Sequence, residues 1–173
     1  KTPVPVDTQG ATAIAIAAGG RHSLALLSDG RVLAWGADGS GQLGNDNQFA
    51  DQSRPVLVAL PRRAVAIAAG GAFSLALLDD GTVSAWGRDE SFQIGDGEGG
   101  GVGDRQPTPT AVRDGGGAAL DGIRAIAAGG LTGYAVDATG SVHVWGGNGG
   151  GQAGTGDTED VPLASPLTGA GSV

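Results

Sequence analysis

A six-residue stretch, Ala-Ile-Ala-Ala-Gly-Gly, occurs three times in this chain of 173 residues. The copies begin at Ala15, Ala66 and Ala125, so they are 51 and 59 residues apart. A Trp-Gly pair follows each copy at a constant distance, and a glutamine comes seven residues after each tryptophan. These residues are Trp35, Trp86 and Trp145, with Gln42, Gln93 and Gln152. Periods near 50 residues are typical of blades, arrays and solenoids, so the chain is predicted to be built from similar units.

Each repeat is predicted to contain short strands joined by tight turns. In the first copy, residues 13–17 alternate large and small side chains, which is the period of a strand, and residues 22–27 form a second apolar run. The pair Asp29-Gly30 marks a tight turn before a third strand that ends at Trp35. The 35 glycines disfavour long helices. We therefore predict an all-β fold in which the Ala-Ala-Gly-Gly ends lie where backbones approach closely.

Three segments that begin with proline are interpreted as outer strands. They are residues 1–6, 54–58 and 165–168. Proline has no amide hydrogen to donate, so a strand of this kind belongs at the edge of a sheet. The first segment has no inner strands before it, and we assign residues 1–10 to the outer strand of a neighbouring blade.

The whole chain, residues 1–173, is predicted to be a single repeat domain. After the initial segment, repeat 1 spans residues 11–60, repeat 2 spans 61–120 and repeat 3 spans 121–173. The eight additional residues of the longer spacing lie in repeat 2. We assign them to a Gly-rich insertion at 95–117, whose glycine runs are typical of flexible loops.

The combined pattern resembles the regulator of chromosome condensation repeat. It contains Ala-Gly-Gly-x-x-Ser-Leu-Ala-Leu, Asp-Gly, Trp-Gly, Gln-Leu-Gly and a Pro-led strand in that order. The similarity covers residues 11–60, 62–112 and 121–167. In the third copy Gly133 replaces the serine, and Ala153 stands where the other copies have Leu43 and Ile94.

The resemblance implies a β-propeller of four-stranded antiparallel blades around a central axis, with about three blades in this chain. One blade cannot bury both of its faces, so neighbouring blades must supply the contacts. Two hypotheses follow: a partial propeller, or a ring that closes by self-association of several copies. The repeated positions are then expected to be structural, with the tryptophans buried between blades. They are Trp35, Trp86 and Trp145, Gly19, Gly70 and Gly129, and Gln42, Gln93 and Gln152.

Composition excludes several functions. A net charge of −8 disfavours binding to nucleic acid or to an anionic membrane. The chain has no cysteine, which excludes disulfides and thiol catalysis and is compatible with a soluble protein that is cytoplasmic or secreted. His22 and His143 occupy different repeat positions without a third ligand, so we expect no metal and no cofactor. A triad of Ser23, His22 and Asp29 has no support from spacing, and we expect no enzymatic activity.

The polar loops after the tryptophans are the predicted binding surface. The resemblance implies that rim loops grip a protein partner, and we expect a protein-interaction scaffold. The predicted contact residues are Asp38, Ser40, Arg88, Glu90, Phe92 and Asn148. Phe92 has two interpretations, an anchor for the partner or a side chain that packs beneath its own loop. Two alternative functions are self-assembly of copies and, through paired carboxylates in the acidic loops, action on or binding of carbohydrate.

Overall fold

Short antiparallel strands make up the regular structure of the chain. The computed structural model describes residues 2, 4–46 and 49–167. Within these residues there are twelve strands and no helix, so none could span a bilayer. In chain order the strands are β1 (Ala13–Ala18), β2 (His22–Leu27), β3 (Val32–Gly36), β4 (Gln52–Leu57), β5 (Ala64–Ala69), β6 (Phe73–Leu78), β7 (Val83–Arg88), β8 (Arg105–Ala111), β9 (Ile123–Gly129), β10 (Thr132–Asp137), β11 (Val142–Gly146) and β12 (Val161–Pro166).

The strands form three antiparallel sheets of four strands, each in consecutive order. We call them blade 1 (β1–β4), blade 2 (β5–β8) and blade 3 (β9–β12). Strand β5 contacts β1 and β2, and β9 contacts β5 and β6, so blade 2 lies between the other two. The three sheets do not close into a ring. The predicted all-β propeller architecture, with about three blades of four strands, is confirmed.

Two of the three Pro-led segments overlap outer strands: residues 54–57 lie in β4, but only Ser165 and Pro166 of the third segment lie in β12. Pro55 lies in β4 and Pro166 lies at the end of β12, each at the edge of its sheet. The absence of an amide hydrogen has no cost there, because no further strand requires it. Residue Thr168 of the third segment lies outside the described residues.

The N-terminal segment has a different conformation. Lys1 and Pro3 lie outside the described residues, and residues 4–8 are not part of a strand in this chain. Val4–Asp7 line a groove of about 510 Å³ together with Trp35 and part of β4. The assignment of residues 1–10 to a neighbouring blade stays a prediction.

Each Trp-Gly pair marks an irregularity between the third and fourth strands. The register shifts between Ala34 and Gly36, and the glycine has a φ of 108°. A Cβ at Gly36 would lie 2.5 Å from the backbone oxygen of Arg21, and one at Gly87 would lie 2.6 Å from that of Ala72. Both the positive φ and the close backbone therefore require glycine after the tryptophan.

The hydrophobic core lies between the blades. One cluster joins blade 1 to blade 2, and its buried members are Leu24, Leu26, Val32, Ala34, Leu43, Val58, Ala64, Ala76, Leu78 and Trp86. The other joins blade 2 to blade 3, and its buried members are Ala68, Phe73, Leu75, Leu77, Val83, Ala85, Ile94, Val112, Leu120, Ile123, Ala135, Trp145 and Ala164. Trp86 and Trp145 are fully buried, whereas Trp35 of blade 1 is only half-buried. Tryptophan is thus buried between blades at both internal junctions, whereas the predicted burial of Trp35 is not seen in this chain.

Each buried tryptophan also donates a hydrogen bond to the blade before it. Trp86 Nε1 donates to the backbone oxygen of Gln42 at 2.9 Å, and Trp145 Nε1 donates to that of Gln93 at 3.0 Å. The constant spacing of Trp and Gln in the sequence thus reproduces one contact at both junctions. In the described part of the chain, Trp35 Nε1 has no such acceptor.

The paired glycines lie where the inner strands of adjacent blades approach each other. The Gly20 amide donates to the Gly71 oxygen at 3.0 Å, and the Gly71 amide donates to the Gly130 oxygen at 2.7 Å. A Cβ at Gly20 would lie 2.7 Å from the Gly71 oxygen. At these two junctions the small ends thus allow the backbones of adjacent blades to approach closely. A Cβ at Gly129, in blade 3, would meet nothing within 4 Å.

We expect Trp86→Ala to lower the free energy of unfolding by about 3–5 kcal/mol, because it leaves a cavity at a fully buried site. Trp35→Ala should cost much less in this chain, because the Trp35 ring is only half-buried. Urea unfolding monitored by circular dichroism would measure both changes. Equal losses for the two variants would contradict the role assigned to the junction.

Candidate functional site

The three loops that follow the tryptophans share one internal design. They are loop 1 (residues 37–44), loop 2 (88–95) and loop 3 (147–154), and all follow the same end of the third strand of their blade. In loop 1 the Gln42 side-chain oxygen accepts a hydrogen bond from the Ser40 amide at 2.8 Å, and Gln93 and Gln152 make the matching bonds at 2.8 Å. The glutamine side chain thus shapes its loop while its backbone oxygen accepts the next tryptophan. We call the surface formed by loops 1–3 the loop rim.

The third residue after each tryptophan is a second fixed element of these loops. Asp38 Oδ1 accepts from the Leu43 amide at 2.9 Å, Asp89 Oδ1 from the Ile94 amide at 3.0 Å, and Asn148 Oδ1 from the Ala153 amide at 2.8 Å. A short side chain with an acceptor oxygen can close such a loop on its own backbone.

Two of the six predicted contact residues are therefore inside their loops. Asp38 is 1% exposed and Asn148 is 0% exposed. Their side chains bond loop backbone, and burial removes them from any surface contact. Sequence reasoning passed over Asp89 and selected the other two for contact. The common register of Asp38, Asp89 and Asn148, three residues after each tryptophan, was the signal for a structural role.

The other four predicted contact residues are partly exposed on the loop rim. Ser40 lies in loop 1, and its amide, not its hydroxyl, serves the loop. Arg88 and Glu90 form an ion pair in loop 2. Glu90 also accepts a hydrogen bond from the Gly103 amide at 2.9 Å. The Arg88 guanidinium and this amide hold the pKa of Glu90 below its usual range.

Phe92 lies against the insertion of blade 2. Its backbone has a φ of 58°, and its ring covers the position that a Cβ of Gly100 would occupy. The ring nevertheless remains partly exposed. The structure thus shows packing against the loop, and the role of Phe92 as an anchor for a partner stays a prediction.

The insertion of blade 2 is tied to blade 3. The interval 95–117 includes β8, so its extra residues lie before and after the outer strand of blade 2. The Gly97 amide donates to the Pro162 oxygen at 3.2 Å, and the Ala164 amide donates to the Arg113 oxygen at 2.8 Å. These bonds to β12 give structure to an interval whose composition is typical of flexible loops. They also add a second connection across the junction between blades 2 and 3.

An arginine side chain of blade 2 contacts loop 1 at the loop rim. Arg105, at the start of β8, donates to the Gly39 oxygen at 3.0 Å and lies 3.9 Å from the centre of the Phe49 ring. Both contacts use the guanidinium, which suits carbonyl and aromatic partners at once. The adjacent loops are thereby held together as one surface.

Burial raises the pKa of the acids inside the loops. The pKa of Asp89 rises to about 6, because burial has a larger effect than the hydrogen bond from the Ile94 amide, which lowers the pKa. The negative charges of Asp96 and Asp104 raise it further. Burial also raises the pKa of Asp38. The hydrogen bond from the Leu43 amide lowers this pKa, but burial outweighs it, and the negative charge of Asp51 raises the pKa further. Near neutral pH the carboxylates of Asp38 and Asp89 are therefore buried as charged groups, which is unfavourable for the folded state.

Most carboxylates near the loops bond to backbone amides. Asp51 accepts from the Asp38 amide at 2.9 Å, Asp160 from the Asn148 amide at 2.8 Å, and Asp104 from the Gly101 amide at 2.6 Å. They act as loop supports, which does not favour the carbohydrate hypothesis. Among the described residues, no group of three or more His, Cys, Asp or Glu could hold a metal ion.

His22 connects blade 1 to blade 2. Its Nε2 lies 2.9 Å from Ser74 Oγ, and this hydroxyl donates to the backbone oxygen of Gln42 at 2.9 Å. The Ser74 proton is thus already used, so Nε2–H of the imidazole must be the donor to Ser74 Oγ. Burial lowers the pKa of His22 to about 4, so the ring is neutral at physiological pH. Its partner is a serine of the next blade, and Ser23 and Asp29 make no hydrogen bond with it.

Family models match the first two repeats. A model described as the regulator of chromosome condensation (RCC1) repeat matches residues 29–77, and a second model with that description matches residues 13–42 and 64–93. The chain is 41% identical over 95 residues to the RCC1 domain-containing protein RUG3, mitochondrial, of Arabidopsis thaliana, covering 54% of this chain and 21% of RUG3. It is 33% identical over 141 residues to the probable E3 ubiquitin-protein ligase HERC6 of Homo sapiens, covering 79% of this chain and 13% of HERC6.

The fold is also similar to a solved structure. The crystal structure of Kap60 bound to yeast RCC1 (Prp20) contains a chain that superposes with a TM-score of 0.76 at 27% sequence identity, covering 90% of this chain and 37% of that one. The present chain thus spans about a fifth or less of the two curated relatives and less than two fifths of the yeast structure.

We expect Asp89→Asn to stabilise the protein at neutral pH. The pKa of Asp89 is about 6 in the folded state and 3.8 in a free side chain, so folding takes up protons in this interval and stability falls as the pH rises through it. Asparagine keeps the acceptor oxygen, as Asn148 does in loop 3. With allowance for solvent screening, the gain in unfolding free energy above pH ~7 should be about 1 kcal/mol, and it should vanish near pH 4.

Urea unfolding at both pH values would measure this difference. Glu98→Gln, at an exposed position of the same insertion, removes the same charge and serves as the control. A gain that is equal at both pH values, or equal for the two variants, would contradict the role of burial.

Proposed function

Because the chain belongs to the regulator of chromosome condensation (RCC1)-like repeat family, we propose that it is a non-enzymatic propeller scaffold that binds a protein through its loop rim. The observation that supports this most directly is the shared internal bonding of loops 1–3. Each loop is closed by its own side chains, so its backbone is fixed before a partner arrives. A preorganised surface loses little conformational entropy on binding.

The exposed residues of the loop rim suit a protein partner. Arg88 and Phe92 of loop 2 are partly exposed, and Arg105 holds Phe49 next to loop 1. Arginine and aromatic residues are enriched at protein–protein interfaces and supply much of their binding energy. The partner is therefore expected to bring acidic or aromatic groups to the arginines and an apolar pocket to Phe92.

The relatives are consistent with protein binding. The yeast RCC1 structure contains Kap60 as a bound protein. That partner belongs to the yeast protein, of which this chain covers 37%. We carry over only the class of partner, a protein, and we assign it to the loop rim because the rim combines exposed side chains with a fixed backbone.

The non-enzymatic part of the proposal follows from the positions of the reactive side chains. His22 is buried, neutral and bonded to Ser74. The acids of the loops bond to backbone amides. These groups stabilise the fold and are not arranged around an open cavity.

We expect Phe92→Ala and Ser40→Arg each to weaken binding of the partner about tenfold, because they remove an anchor or add bulk on the loop rim. The purified chain would serve as bait, with bound proteins quantified by mass spectrometry and then titrated in purified form. Arg62→Ala is the matched control, since Arg62 pairs with Asp79 and Asp80 at the opposite end of the sheets.

Melting temperatures of all variants must accompany the titrations, because Phe92 packs against Gly100. A loss of binding in the two rim variants without a change in melting temperature supports the proposal. Partners that bind the rim variants and Arg62→Ala equally well would place the contact elsewhere.

A further inference from the structure

One groove occurs at both internal junctions, at the end of the sheets opposite the loop rim. We call this the hairpin end, because β2 turns into β3 there at residues 28–31 and β6 turns into β7 at residues 79–82. Groove 1, between blades 1 and 2, has a volume of about 370 Å³, and groove 2, between blades 2 and 3, about 460 Å³. Every residue that lines groove 1 has its repeat counterpart in groove 2, offset by 51 residues for blade 1 and by 59 for blade 2.

The backbone builds the two grooves in the same way. The Gly30 oxygen accepts a hydrogen bond from the Ala64 amide at 2.9 Å, and the Gly81 oxygen accepts one from the Ile123 amide at 3.0 Å. Each bond ties the hairpin turn of one blade to the inner strand of the next. In groove 1 the turn also contacts a side chain, since a Cβ at Gly30 would lie 2.6 Å from the Cβ of Arg63. The walls of both grooves are therefore fixed before a partner binds.

A β-bulge at the start of each inner strand turns one residue out of the sheet. Ile14, Val65 and Arg124 are the extra residues of these bulges in β1, β5 and β9. Bulges of this kind re-aim a side chain. Ile14 is 61% exposed and Val65 is 54% exposed, and Val65 lines both grooves. Because blade 1 packs before Val65, its exposure is a property of the bulge and not of the limits of the sequence.

Each groove also contains an arginine that has no partner. Arg63 lines groove 1 and Arg124 lines groove 2, and both are exposed. Within the described part of the chain, neither guanidinium group makes a hydrogen bond or an ion pair. The carboxylates that line the grooves are, in contrast, already paired: Asp29 with Arg31, and Asp79 and Asp80 with Arg62. The charged groups that remain available to a partner in the grooves are thus the two arginines.

We propose that the hairpin end binds an extended acidic segment of a partner protein, which runs from groove 1 to groove 2. Carboxylates of the segment pair with Arg63 and Arg124, because a guanidinium can donate two parallel hydrogen bonds to a carboxylate. Apolar side chains of the segment pack on Val65 and Ile14. This surface is separate from the loop rim, so the proposal adds a second binding surface to the scaffold.

The repetition of the groove identifies the class of occupant. Two similar grooves, one blade apart, suit a linear chain that offers the same groups at intervals. The exposed aliphatic side chains suit a peptide that carries apolar residues between its acids. A nucleic acid would bring many phosphates to a chain whose net charge is −8, and phosphates offer nothing to Val65.

Fluorescence anisotropy with the purified chain tests the proposal. The probe is a labelled peptide that repeats Gly-Glu-Leu-Glu three times, for which we expect a Kd below about 100 µM. Replacing its glutamates by serine, or its leucines by serine, should weaken binding about tenfold, because each change removes one half of the recognition.

Charge reversal in the chain locates the contact. Arg63→Glu and Arg124→Glu should each weaken binding of the acidic peptide about tenfold or more. Arg21→Glu is the matched control. Arg21 is also exposed, and its backbone oxygen accepts from the Ala37 amide of loop 1 at 2.8 Å, so it lies at the rim end. Arg21→Glu makes the same change in net charge and should alter the Kd less than about twofold, and melting temperatures would verify that all variants fold.

Four results would overturn the proposal. They are no binding of the acidic peptide, equal binding of a serine-substituted peptide, a loss for Arg21→Glu equal to that for the groove variants, and equally tight binding of a labelled dT oligonucleotide at Arg63 and Arg124. The Phe92→Ala and Ser40→Arg variants should bind the acidic peptide like the wild type, so this outcome is separate from that for the loop rim.

Discussion

The hydrogen bond from a buried indole to the backbone of the preceding blade is the contact on which the assembly depends. A four-stranded sheet of this size buries little by itself, and the core of this chain lies between sheets. The indole fills that space, and its Nε1 reaches an oxygen that the glutamine loop presents. The loop must hold its shape for this oxygen to be in place. The polar loops and the apolar junctions are therefore parts of one structural unit.

Much of the fold could be predicted from the sequence because these contacts repeat. The spacing of Trp, Gly and Gln recurs three times, and a residue that recurs in register has the same neighbours in each blade. The tryptophans, the paired glycines and the outer prolines were identified on this basis. The partial exposure of Trp35 required the structure, because the burial of a residue depends on what packs against it and not on the residue alone.

The candidate site was harder to predict, for two physical reasons. Asp38 and Asn148 differ in charge, so their shared function as loop acceptors is visible only when register is given more weight than residue type. The insertion of blade 2 occurs once and pairs with β12, about 65 residues further along the chain for Gly97. A unique segment that pairs over such a distance leaves no local pattern in the sequence, and its glycine content suggests the opposite behaviour.

The two junctions also differ in the groups that titrate near them. His22 is held neutral between blades 1 and 2, so acid weakens this junction as the pH falls from 6.5 towards 4, where the unfolded chain takes up the proton more readily. Asp89 lies on the blade 2 side of the other junction. Its carboxylate takes up a proton over nearly the same pH interval, and because the pKa of Asp89 is raised to about 6, this protonation stabilises the folded state. Acidification should thus weaken the junction between blades 1 and 2 more than the junction between blades 2 and 3, a difference that amide hydrogen exchange would resolve blade by blade.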